Sequence, residues 1–262
     1  MFSPIYPDAF VLGEKLDYGI YLNGLRVGSA RMEVLIDFVQ ENGTKTIIFK
    51  STSTSESFMN RIFPVEDKIV SHFDVINRRT VSNVKKVHEG KFHREYHVEF
   101  DYKSKTASWW QKQHKGSKKA LPNDPTFRAK SGITTDIPEN ALDILSAIYK
   151  MRMDTSELIP GSTLFIPVYD DLQITLLKME IEKKDTIDLE LEDYKENTPT
   201  IKLNPIIETS GFFKTDGGKA SIWLTDDFRR IPVKIQTTVK KAGKVSIILE
   251  NTTGLSLPLM GN

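Results

Sequence analysis

The chain has no cysteine among its 262 residues, which excludes disulfides, thiolate metal sites, cysteine nucleophiles and iron–sulfur clusters. It has no apolar run near the roughly 20 residues of a membrane-spanning helix. Met1-Phe2-Ser3-Pro4-Ile5-Tyr6-Pro7 lacks the basic and apolar stretches of a secretory leader. An excess of charge is missing too: 36 Lys and Arg stand against 35 Asp and Glu, a net +1. That balance removes any global attraction to nucleic acid or an anionic membrane, so such affinity has to be local. Common enzyme signatures are absent: there is no Gly-x-Ser-x-Gly elbow, phosphate-binding glycine loop, dinucleotide fingerprint or His-Glu-x-x-His. Asn42-Gly43-Thr44 and Asn251-Thr252-Thr253 match the glycosylation triplet, a pattern that arises often by chance.

What is present is enough apolar material for a large core, 39% of the chain, with 27% charged residues to cover it. One domain over residues 1–262 is the expectation, since β-rich domains often reach this length. Period-two alternation broken by turn residues runs through most of the chain and predicts antiparallel strands. The clearest hairpin joins 14–22 to 25–39 through Asn23-Gly24, a pair suited to a turn in which both central residues need positive φ. Further strands are predicted at 45–55, 68–76, 80–88, 92–102 and 106–111. In the second half they are predicted at 163–169, 172–183, 186–194, 200–207, 219–224, 229–240 and 244–250. Asp136-Ile137-Pro138-Glu139 reads as a capping box, which predicts one long helix over 136–152 with Ile137, Ala141, Leu145, Ile148 and Arg152 on one stripe. The polar stretch 113–135 reads as a surface loop.

Three groups of residues are candidates for chemistry. His93 and His97 would share a face on a helix, but on a strand they stand about 13 Å apart, too far to hold one ion. An adjacent pair such as His93 with Glu95 stays geometrically possible but has no third ligand in view, so no metal is expected, no cofactor is expected either, and the alternating His and Glu of 92–100 read as a solvated face. Asp170-Asp171 and Asp226-Asp227 read as turn residues rather than catalytic pairs. The segment 103–119 carries six lysines and two tryptophans without an acid. Lys103, Lys105, Trp109, Trp110, Lys112, Lys115, Lys118 and Lys119 are thus the candidates for contact with an anionic surface, with no nucleic-acid motif to support them. On a strand only one of Trp109 and Trp110 can face outward.

Five stretches in series carry a resemblance: Gly13-Glu14-Lys15-Leu16-Asp17-Tyr18; Asn23-Gly24-Leu25-Arg26-Val27-Gly28-Ser29-Ala30; Phe63-Pro64-Val65-Glu66-Asp67-Lys68-Ile69; Asp143-Ile144-Leu145-Ser146-Ala147-Ile148-Tyr149-Lys150-Met151-Arg152; and Ile222-Trp223-Leu224-Thr225-Asp226-Asp227-Phe228-Arg229-Arg230-Ile231-Pro232-Val233. Together they resemble the bacterial exported domain-of-unknown-function family 3108. The resemblance implies a mainly β fold with one long helix, an antiparallel meander curled around that helix as a spiral β-roll or half-open barrel, similar to envelope lipoprotein carriers. It implies a periplasmic or outer-membrane-associated protein and no catalytic residues. Three functions stay open: a non-enzymatic protein binding a lipid, a hydrophobic small molecule or another envelope protein; an enzyme with a site in the sheet cavity; and a structural subunit of an envelope assembly.

Overall fold

The computed structural model describes residues 9–39, 45–115, 128–191, 194–206, 220–239 and 243–255. The alternating stretches form β1 (Lys15–Leu22), β2 (Leu25–Val39), β3 (Lys45–Ser55), β4 (Glu66–Asp74), β5 (Arg79–Glu89), β6 (Phe92–Asp101), β7 (Thr106–Lys115) and β8 (Arg128–Thr134). After the helix α1 (Ile144–Met153) come β9 (Thr163–Asp170), β10 (Gln173–Leu191), β11 (Tyr194–Ile206), β12 (Ser221–Thr225), β13 (Pro232–Val239) and β14 (Gly243–Thr253). All fourteen strands join one antiparallel sheet in the order β8-β7-β6-β5-β4-β3-β2-β1-β14-β13-β12-β11-β10-β9. The first and last strands are therefore partners at its centre, and the sheet does not close on itself.

The sheet curls because α1 lies against β3 and β4 from one half and against β9 from the other. Its Tyr149 stacks on Phe49 of β3, with ring centroids 3.8 Å apart and planes 5° from parallel, and Phe10 packs edge-on against both. Leu142, Leu145 and Met151 join inward residues such as Leu16, Val34, Phe73, Val168, Leu203 and Leu249 in one core. A smaller cluster of Tyr96, Val98, Phe100, Ala107, Ile137, Ala141 and Tyr169 lies where β9 approaches β6 and β7.

Three expectations are corrected. First, the helix starts at Asp143, not Asp136: the Asp143 carboxylate accepts from the Leu145 and Ser146 amides and from the hydroxyls of Ser71, Thr80 and Ser146. Asp136 has φ +60°, and the next residue, Ile137, donates its amide to the Lys105 carbonyl, so the false capping box is spent on tertiary contacts. Second, part of the expected loop 113–135 is strand, since β7 continues to Lys115 and β8 pairs with it from Ala107↔Thr134 to Gln113↔Arg128. Third, the expected strands 172–183 and 186–194 are largely one strand, β10, which passes the polar 183–185 stretch with a register shift between Ile181 and Lys183.

Candidate functional site

Because every neighbouring pair is antiparallel, the turns after odd-numbered strands gather at one rim of the sheet. That rim holds Asn23-Gly24, the β3–β4 loop, Gly90-Lys91 and the β9–β10 turn. The β3–β4 loop contains a single 3₁₀ turn, Met59–Arg61, and its backbone is held from several sides. Asn60 N donates to Glu56 O at 3.0 Å, and Phe63 N to Met59 O at 2.7 Å. Ser55 Oγ donates to Asn60 Oδ1, Val65 N donates to Ser55 Oγ, and Gly90 N donates to Pro64 O. Arg26 binds both Glu56 and Glu250. At Gly90, with φ +60°, a Cβ would stand 2.7 Å from the Phe63 ring, so glycine lets the loop lie down on the β5–β6 turn. Yet this braced loop leaves Ile62 76%, Phe63 49% and Phe58 47% exposed. Apolar side chains held in water on a braced loop differ from singly scattered surface residues and make this loop a candidate site.

Below the loop, an open cavity of about 330 Å³ is lined by Thr54, Ser55, Asn60, Pro64, Val65, Glu66, His88, Gly90 and His93. The outer face continues from it in rows set by strand register. His88 pairs with His93, and His93 with His114, with ring centroids 5.1 and 5.6 Å apart. In the next row Lys86 Nζ lies 2.7 Å from Glu95 Oε1, with Lys112 opposite Glu95 on the other side. In the third row His97 stacks on Trp110 at 4.4 Å. The histidine partners are therefore cross-strand neighbours, not His93 with His97. The imidazoles stand in a line, and among the described residues no three His, Asp or Glu groups are placed to hold a metal ion.

The inner side of the same rim is ionic. Lys85 Nζ lies 3.7 Å from Asp170 Oδ1, and Arg94 Nη1 lies 2.6 Å from Asp171 Oδ1. Burial pushes the Asp170, Asp67 and Glu89 carboxyls above the usual carboxylate range, while the Lys85 ammonium opposes each shift. The other acidic pair does turn chemistry: Asp227 Oδ1 accepts from the Arg229 and Arg230 amides, and Asp226 pairs with Lys184 at 2.9 Å.

The lysine-rich segment does not form one patch. Lys103 and Lys105 sit in the β6–β7 turn at the opposite rim, and the strand from Lys105 to Lys112 spans about 24 Å. Glu95 and Glu99 on neighbouring β6 lie beside Lys112 and Ser108, acids that the linear segment does not reveal. Trp109 packs inward beside Gly132, whereas Trp110 faces outward with the Lys112 ammonium 5.4 Å from its ring. Lys115 ends β7, and Lys118 and Lys119 lie outside the described residues.

Sequence reasoning passed over Phe58, Ile62 and Phe63 as site residues, although apolar residues four and five positions apart in a short inter-strand segment are not strand alternation. The histidine row also had a signal. His88 and His93 flank Gly90-Lys91 symmetrically, so a two-residue hairpin turn places them opposite each other.

The fold is similar to solved structures. A β-barrel-like protein of domain of unknown function DUF1849 from Brucella abortus superposes with a TM-score of 0.50 at 9% identity, over 94% of this chain and 99% of its own. A putative exported protein with a YmcC-like fold from Bacteroides fragilis gives 0.37 at 8% identity, over 93% and 96%. No curated protein matches the chain. The family model of the protein of unknown function DUF3108 matches residues 17–250, from the first strand to the last, and the chain belongs to that family.

Proposed function

We propose that this is a non-catalytic protein of the bacterial envelope that docks its β3–β4 rim on an anionic membrane surface. The observation that carries this reading is the braced loop holding Phe58, Ile62 and Phe63 in water. Burying one such side chain fully stabilises by about 1.5–3 kcal/mol, so two or three partial insertions give reversible attachment. Arg61, Lys91 and Lys112 lie at or near this rim, and each basic residue close to an anionic leaflet adds about 1 kcal/mol. A carrier holding its ligand beneath the helix is disfavoured by the stacked Tyr149, Phe49 and Phe10 that occupy that space. The envelope location rests on the family resemblance, and fractionation of cells expressing the complete gene tests it.

Vesicle co-sedimentation tests the docking. Wild-type protein should sediment with phosphatidylglycerol vesicles at low salt and lose most of that binding at high salt, where the screening length shrinks to a few ångströms. An I62S/F63S variant should bind at least about tenfold more weakly, and K112Q should lose part of the salt-sensitive component. Equal sedimentation of I62S/F63S and wild type, or none by wild type, would refute the reading.

A further inference from the structure

Beyond its packing on α1, the free end of the sheet is fastened to the other half, among the described residues, around the β9–β10 turn. Tyr169 OH lies 2.9 Å from Thr134 Oγ1, which also donates to the Leu172 carbonyl at 3.0 Å, tying the β9–β10 turn to β8. Arg94 of β6 holds Asp171. Between these ties sits Asp170, its side chain 5% exposed, with Oδ1 3.7 Å from Lys85 Nζ, beyond hydrogen-bonding length; its carboxyl accepts from the Asp171 backbone amide, and Oδ2 has no hydrogen-bond partner. The charged and titratable groups facing it are Lys85 from β5, Arg94 and the Tyr96 phenol from β6, and Asp171 from its own turn. Asp67 of β4 and Glu89 of β5 face the same lysine. An anion buried with one oxygen unsatisfied is costlier than the neutral acid, which can donate.

We propose that Asp170 makes this seam pH-sensitive, closed while its carboxyl is protonated and loosened as it ionises. The sign follows from linkage. Burial raises the folded-state pKa of Asp170 above its unfolded value, so the folded chain binds the proton more tightly. The contribution of Asp170 to stability is therefore full below the unfolded value and is lost as pH rises through the folded one, opposite to the trend for a carboxylate held by a salt bridge. Asp67 and Glu89 are shifted the same way and add to the trend. Opening would part β9 from β6 and β8 and expose the small cluster around Tyr96, Phe100 and Tyr169. The proposal does not depend on membrane docking, which uses the other side of the rim.

Hydrogen exchange tests it, with amides of β9 referred to those of β1 and β2 so that the chemical pH dependence cancels. From about pH 3.5, below the ordinary carboxylate value, to about pH 8.5, wild-type β9 should lose relative protection several-fold, about tenfold for each unit by which the folded-state value exceeds the unfolded one. Asp170→Asn, with no charge to develop at this position, should lose distinctly less protection than wild type across the range, only the share due to Asp67 and Glu89. Lys85→Met removes the cation that opposes the shift and should move the loosening to higher pH, a second readout if the Asn variant folds poorly. A flat wild-type profile would overturn the proposal. So would an Asp170→Asn seam looser than wild type at high pH, or a Lys85→Met midpoint that stays put or falls, since Asp170 would then act as the anion of an ordinary ion pair.

Discussion

At the scale of single residues, the most demanding group in the molecule is Arg152. It is fully buried, with Nη1 and Nη2 on the two oxygens of Glu14, Nε on the Arg229 carbonyl and Nη2 also on the Ala9 carbonyl. Both side chains of the pair are 0% exposed. Every charge is answered, so the cost of desolvation is met only while both partners stand. Arg152→Met should destabilise by about 3–5 kcal/mol because Glu14 is left buried and uncompensated, and adding Glu14→Leu should recover most of that loss. Guanidinium melts of the two single variants and the double variant measure the coupling. Arg152 was legible in the sequence as a member of the helix stripe, but not its partner, 138 residues away, because neither periodicity nor local spacing encodes which strand end a helix meets. The same limit explains the candidate site. Trp109 and Trp110 divide between inside and outside as alternation requires, whereas Glu95 beside Lys112 follows only from register.

At the scale of elements, α1 is placed by its first turn more than by its length. Asp143 serves as cap and as acceptor for three hydroxyls on β4, β5 and the helix itself, so it fixes the helix start against the sheet. Asp143→Ala should remove the cap, worth about 0.5–2 kcal/mol, and strand buried hydroxyls at a further 1–3 kcal/mol. Asp143→Asn should lose distinctly less, and urea denaturation followed by circular dichroism reads both. Hairpins were the most legible elements: β2 and β3 begin and end at the expected residues, since alternation and turn residues are local signals. β8 was hidden because it sits at a sheet end, where its one large apolar residue, Ile133, is exposed and Gly132 merely makes room for Trp109. The helix start was misplaced because two aspartates seven residues apart offer similar caps, and only packing against Ser71 and Thr80 chooses between them.

At the scale of the whole molecule, the sheet is two sequential meanders, β1–β8 and β9–β14, joined by one ladder between β1 and β14 and by the helix between β8 and β9. Each half contains only pairings of consecutive strands. Fragments divided between the exposed residues Glu139 and Asn140 should therefore reassemble when co-expressed, with a tag on one recovering the other in equal amounts. Recovery of the tagged half alone would mean that the continuous connection through α1 is required. The central ladder also has a temporal consequence. Tyr18 pairs with Leu249, so in a chain that emerges N-terminus first, from the ribosome at about 5–20 residues per second or through an export channel, β1 cannot find its partner until nearly the whole chain has appeared. Through that interval β1 is an unprotected strand edge at the front of an otherwise complete half-sheet. Its own hairpin with β2 covers one side, and the other side stays open to wrong partners for seconds to tens of seconds, so the growing chain is most exposed to misassembly at its oldest strand.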